Sequence, residues 1–268
     1  MNRFQRLFST ENKKIFIPFF TIGDPNYEAS LALIKSVIEA GADALELGFA
    51  FSDPIADGPT NQRSMERALQ SGMSFERSIA FLKEIRQISN DIPIGLLIYY
   101  NLLFKQGESA YQALSEAGVD AIVSADLPLE EAQRHLALLK KYHIGSVQMI
   151  APNTNDKRIA LLSSHTTAFN YVLSGFGTTG ARSEVAPETI KRIQHVRALI
   201  DEPMVVGFGI SKPEHVRTVW EAGANGAIVG SFFTSIIEKN LNNLHHAQSE
   251  IASFIQQVKE QNALLSST

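Results

Sequence analysis

The chain has 268 residues and no cysteine, which excludes disulfides, zinc–thiolate sites, cysteine-ligated iron–sulfur clusters and a thiol nucleophile. With 44% hydrophobic residues and a net charge of -4, it can bury a large core and offers no electrostatic case for binding nucleic acid or an anionic membrane. The opening MNRFQRLFSTENKK lacks the apolar core of a secretion signal, and the most apolar window, residues 94–104, is too short to cross a bilayer; a soluble, cytoplasmic protein is expected.

Beyond a short N-terminal helix, strand-length apolar runs alternate with amphipathic stretches. The runs fall at 15–22, 43–48, 92–98, 121–125, 145–150, 168–174, 204–209 and 227–230. Most intervening segments show helical spacing, as in Leu31, Ile34, Val37 and Ile38, or Leu136 and Leu139. Eight strands alternating with helices in one unbroken chain predict an α/β protein: a single (β/α)8 TIM barrel spanning residues 1–268, with an extra N-terminal helix and no linker. An open doubly wound sheet is the structural alternative. Three copies of one module support a repeating βα unit: Glu39-Ala40-Gly41-Ala42-Asp43, Glu116-Ala117-Gly118-Val119-Asp120 and Glu221-Ala222-Gly223-Ala224-Asn225. In each, a helix is expected to end on a left-handed glycine and a strand to begin two or three residues later.

The second strand breaks the pattern. Aligning the modules puts Glu46 where the others carry Val123 and Ile228. Strand alternation then turns Leu45 and Leu47 toward the helices and Ala44, Glu46 and Gly48 into the barrel, with Glu46 near the carboxyl end where such barrels keep their sites. Apolar surroundings raise a carboxyl pKa and suit it to proton transfer near neutral pH. The competing reading is a buried Glu paired with Arg or Lys. The next segment, Phe51-Ser52-Asp53-Pro54-Ile55-Ala56-Asp57-Gly58-Pro59-Thr60, reads as a loop long enough to fold back over the mouth and set Asp57 opposite Glu46. Alternatively, Asp53 and Asp57 only make Asx-turns.

Glycines cluster after the late strands: Gly175 to Gly180, Gly207-Phe208-Gly209 and Gly230-Ser231. They let backbone N–H groups approach a phosphate, with Ser231 as N-cap of the helix that follows, or else they only make tight turns. Gly175 to Gly180 fits G-x-G-x-x-G, but residues 181–187 read as a loop and not a helix, so an active-site lid fits better than a dinucleotide site. The seven histidines show no metal-ligand spacing and read as structural or surface positions, so no metal is expected.

The motifs PFFTIGDP (18–25), LELGFAFSDPIADGPT (45–60), IGLLIYYN (94–101) and ADLP (125–128), with the glycine clusters, resemble the tryptophan synthase alpha chain family over nearly the whole chain. That resemblance implies a lyase that cleaves indole-3-glycerol phosphate to indole and glyceraldehyde 3-phosphate by a retro-aldol reaction, a step of tryptophan biosynthesis. It implies that Glu46 transfers the protons and that Asp57 holds the indole N–H and stabilises the positive charge on the C3-protonated ring. Phe19, Leu97, Tyr99, Val123, Ala125, Tyr171 and Phe208 match positions around the indole, Thr179 matches a lid residue that positions Asp57, and Gly180, Gly209, Gly230 and Ser231 match the phosphate-binding backbone. It further implies no cofactor in this chain and a beta subunit partner that carries pyridoxal phosphate, in an alpha-beta-beta-alpha heterotetramer contacted through the loops at 51–62 and 174–187. Four positions depart from the family pattern: Ala50 replaces a proline, Asn61 stands where an apolar residue is usual, and Gly175-Phe176 replaces Arg-Ser. The rival readings are another phosphosugar-binding barrel enzyme, or a catalytically weak activator of the beta subunit.

Overall fold

The computed structural model describes residues 2–10, 13–173, 185–207 and 209–266. Eight parallel strands close into a barrel in chain order: β1 (Ile15–Thr21), β2 (Leu45–Gly48), β3 (Ile94–Leu97), β4 (Ala121–Val123), β5 (Gly145–Ile150), β6 (Phe169–Leu173), β7 (Met204–Gly207) and β8 (Gly226–Val229), with β8 pairing back onto β1. Closure decides for the (β/α)8 barrel over the open sheet. The strands are shorter than the apolar runs because residues just outside them, such as Ile22, Ile92 and Ile98, are buried in the connecting turns.

Helices surround the barrel. They are α1 (Arg3–Phe8), α2 (Tyr27–Glu39), α3 (Pro59–Gln70), α4 (Phe75–Ile88), α5 (Tyr100–Gln106), α6 (Glu108–Glu116), α7 (Gln133–Lys141), α8 (Asp156–Ser164), α9 (Pro187–Arg197), α10 (Pro213–Glu221), α11 (Ser231–Lys239) and α12 (Leu244–Ser266). Their starts follow local chemistry: Asn2, Asn26, Ser74 and Asn155 accept from the first-turn N–H groups of α1, α2, α4 and α8, while proline opens α3, α9 and α10. Ser231 is not the N-cap predicted for it. Gly230 occupies the cap position and Ser231 is the first helical residue, because the turn out of β8 is one residue tighter.

Alternation sorts side chains into two cores. Phe16, Phe20, Leu45, Leu47, Leu96 and Val206 pack outward against the helices, whereas Ile17, Phe19, Ala44, Val123, Tyr171 and Ile228 fill the interior. Helix α1 plugs the amino-terminal end of the barrel. Phe4 is buried in the interior core, 5.2 Å from the Phe169 ring, and Arg3 joins Arg86 on the buried carboxylate of Asp120. The glycines of the three modules have φ of 95° (Gly41), 83° (Gly118) and 114° (Gly223), the left-handed caps expected, with strands beginning three or four residues later.

The acidic or amide residue shared by the modules also has a task. Asp43 accepts from the Phe16 N–H at 3.0 Å, Asp120 from Ile94 N–H at 2.9 Å, and Asn225 from Met204 N–H at 2.9 Å. Each satisfies a backbone donor near the start of the neighbouring strand.

Candidate active site

Pairing register places Glu46 beside Phe19 of β1 and Gly95 of β3, on the inward face near the carboxyl end of the barrel. Only 2% of the residue is exposed. Among the described residues its Oε1 has no hydrogen-bond partner and no cation pairs with it. The ion-pair reading therefore does not hold for this carboxyl group. Burial, aided by the negative charge of Asp57, pushes the Glu46 pKa up to about 8.

The chain leaving β2 turns on itself, with Ile55 N–H donating to Asp53 and Asp57 N–H to the Pro54 carbonyl, before Gly58 and Pro59 start α3. This folds Asp57 back into the same cavity wall as Glu46. The Asp57 carboxylate is not used up in a local turn: it accepts from Tyr99 Oη at 2.6 Å and from Asn61 Nδ2 at 3.2 Å. Burial raises its pKa, and these two hydrogen bonds act against the rise. The two aspartates thus divide, since Asp53 is exposed and its carboxylate accepts from the adjacent Ser52 hydroxyl. Helix α3 is pinned from behind. Arg67 makes a two-point ion pair with the buried Asp24 carboxylate at 2.7 and 2.9 Å, and reaches Glu238 of α11 at 3.1 Å.

Phe19, Leu97, Ala125 and Tyr171 line the cavity as anticipated. The ring of Phe19 fits between its neighbours because the end of β2 and the turn after β8 each offer a glycine there. A Cβ at Gly48 or Gly230 would lie 3.0 or 3.1 Å from that ring. Likewise a Cβ at Gly207 would collide with the Tyr171 phenol. Burial and the charges of Glu46 and Asp57 push the Tyr171 pKa well up, so its phenol stays neutral. Tyr99 and Val123 are buried beside the cavity, outside its wall; Tyr99 instead sits behind Asp57, its oxygen also accepting from Ala56 N–H at 3.0 Å.

Gly209, Gly230 and Ser231 form part of the wall, and Gly230 and Ser231 stand where α11 begins. Gly209 has φ 75° and open space where a side chain would start. Thr179, Gly180 and Phe208 lie outside the described residues, as does the glycine segment 174–184.

The wall also contains Ala56, Gly58, Asn61, Met149, Leu173, Ile210 and Ile228, which were not anticipated. Strand alternation could have found three of them: Met149 lies two residues after Val147, Leu173 two after Tyr171, and Ile228 two after Gly226. Nothing in the sequence pattern pointed to Asn61 as a neighbour of Asp57. Among the described residues there is no metal-binding cluster of His, Cys, Asp or Glu, and no helix long and apolar enough to cross a membrane.

A buried Glu46 and a half-buried Asp57 thus share the barrel mouth with the glycines at the start of α11. The model of the tryptophan synthase alpha chain family matches residues 4–263. This chain belongs to the tryptophan synthase alpha chain family. An alpha chain from Methanothermobacter thermautotrophicus is 46% identical, over 84% of either chain, and one from Methanoregula boonei is 40% identical over 97% of this chain and 98% of that one. Among solved structures, the alpha subunit from Legionella pneumophila superposes with a TM-score of 0.89 at 29% identity, covering 98% of this chain and 99% of the other. A structure described for the mutual activation of the tryptophan synthase a2b2 complex of Pyrococcus furiosus superposes with a TM-score of 0.85 at 35% identity, over 92% of this chain and 98% of that one.

Proposed function

We propose that this chain, as the alpha subunit of tryptophan synthase, is a lyase that cleaves indole-3-glycerol phosphate to indole and glyceraldehyde 3-phosphate. The observation that carries the reading is the pair Glu46 and Asp57: a buried and a half-buried carboxyl group in one cavity wall, the first unpaired among the described residues, the second held by two donors.

With a pKa of about 8, Glu46 is mostly protonated at neutral pH and serves first as the acid. It gives its proton to indole C3, and the ring becomes a C3-protonated cation with its charge on nitrogen. The Asp57 carboxylate accepts from the ring N–H and stabilises that charge. Glu46, now a carboxylate, removes the proton of the adjacent glycerol hydroxyl. The oxygen pair forms the aldehyde C=O, the bond to C3 breaks, and its electrons restore the neutral indole. The proton taken from the hydroxyl returns Glu46 to its starting form, so no external acid or base is consumed. Two carboxyl groups in unlike surroundings suit this sequence.

Phe19, Leu97, Ala125 and Tyr171 provide the apolar walls for the ring, with Tyr99 and Val123 supporting them. The phosphate is received by backbone N–H groups at Gly209 and Gly230 and by the start of α11 at Ser231, where the helix dipole favours an anion. Thr179, Gly180 and Phe208 complete the lid, the phosphate site and the ring pocket in this reading. The chemistry is proton transfer alone, so this chain needs no cofactor of its own. Its product indole passes to a beta subunit that carries pyridoxal phosphate, in an alpha-beta-beta-alpha assembly in the cytoplasm. Ile55 and Phe104, 81% and 64% exposed, are the barest large apolar side chains among the described residues. Both follow the carboxyl ends of strands and supply apolar contact for that partner on the active-site face of this one-domain barrel.

Glu46→Gln is the test. It should lower indole formation by about 10²- to 10⁴-fold while circular dichroism stays unchanged. Wild-type turnover in that variant would remove Glu46 from the mechanism.

A further inference from the structure

Asn61 is a polar group in the cavity wall that the two-carboxylate mechanism leaves unused. It stands in the first turn of α3, and its Nδ2 donates to Asp57 Oδ1 at 3.2 Å, while Tyr99 donates to Oδ2. An ionised carboxylate can only accept, so the amide must turn its nitrogen to Asp57 and its oxygen elsewhere. That oxygen is shielded from solvent and has no hydrogen-bond partner among the described residues. A buried acceptor without a donor is unfavourable and uncommon, and this one belongs to a residue of the ligand cavity. An indole ring has a single N–H, which Asp57 takes in the mechanism above. The Asn61 oxygen is therefore a second acceptor on the same side of the site, with no donor from the unsubstituted ring to meet it. An apolar residue at this position would provide neither the donor to Asp57 nor this acceptor.

We propose that Asn61 is a specificity-determining residue: its Nδ2 positions the Asp57 carboxylate, and its Oδ1 accepts a hydrogen bond from a hydroxyl or amino substituent on the aromatic ring of the ligand. The inference rests on the indole-3-glycerol phosphate reading and extends it to ring-substituted indoles. Removing the Asn61 donor also takes away one of the two hydrogen bonds that oppose the upward push of burial on the Asp57 pKa.

The test runs the reaction in the condensation direction with the full-length chain, joining glyceraldehyde 3-phosphate to indole or to hydroxyindoles bearing the hydroxyl at each benzo-ring carbon in turn. Wild type is compared with N61L, similar in size, and with N61A, which removes the amide without adding bulk. For at least one hydroxyindole, kcat/KM relative to indole should fall by about 3- to 10-fold in both variants, mainly through KM. The acidic limb of the pH profile should move to higher pH in both. Relative kcat/KM unchanged for every hydroxyindole overturns the specificity role, whatever happens to absolute rates. An unmoved acidic limb overturns the positioning role. A wild-type chain that forms no indole-glycerol phosphate overturns the functional reading and this inference with it, whereas loss confined to the variants' substituent preference leaves that reading intact.

Discussion

At Glu46, burial and the Asp57 charge act in the same direction, and both favour the neutral carboxylic acid. The activity consequence is a basic limb: kcat/KM for cleavage should fall as pH rises through about 8, where the acid form needed for the first proton transfer is lost. A pH–rate profile checks this. The stability consequence has the opposite character from that of a paired carboxylate. The folded pKa is raised above the ordinary glutamate value of 4.5, so the neutral group is tolerated at low pH and stability is lost as pH rises from that value toward about 8. A fully ionised Glu46 would cost on the order of 5 kcal/mol. Glu46→Gln should therefore melt at a higher temperature than wild type at about pH 9, with a gain that shrinks toward about pH 4; an equal gain at both pH values would contradict the shifted pKa. Glu46 was legible because its module has two siblings with apolar residues at the same place. Asn61 was not, since its partner Asp57 arrives by a loop whose return path has no period to read.

Among elements, the module ending in Asp43, Asp120 and Asn225 shows how a sequence repeat can be seen without its cause. The glycine in each was readable from helix-ending rules, and its left-handed φ follows. The acidic or amide residue acts on a neighbouring strand, a contact between chain segments that spacing along the sequence does not encode. Asn225→Ala should cost about 1–3 kcal/mol in denaturant unfolding, since it strips the Met204 N–H of its side-chain acceptor at a fully buried residue. Ser231 illustrates the converse. Capping propensity named the right turn but the wrong residue, because the backbone leaving β8 had already placed Gly230 at the cap.

For the molecule as a whole, the alternation of strand and helix predicted the barrel, while its closure depended on pairing the first strand with the last, which local patterns do not report. The plug at the amino-terminal end is equally nonlocal, since a short helix gains stability here chiefly by burying Phe4 against Phe169 and setting Arg3 on Asp120. Phe4→Ala should lower stability by about 3–5 kcal/mol, measurable as a drop in unfolding midpoint. The seam between β8 and β1 has a further consequence during synthesis. On the ribosome, β1 emerges early, with all seven of its residues destined for burial, yet one hydrogen-bonding edge has no partner until β8 is made near the other end of the chain. Until then it is an open, apolar strand edge of the kind that recruits other chains. Chaperone occupancy of nascent chains should accordingly persist until residues 226–229 have cleared the exit tunnel, and release should coincide with that point in translation.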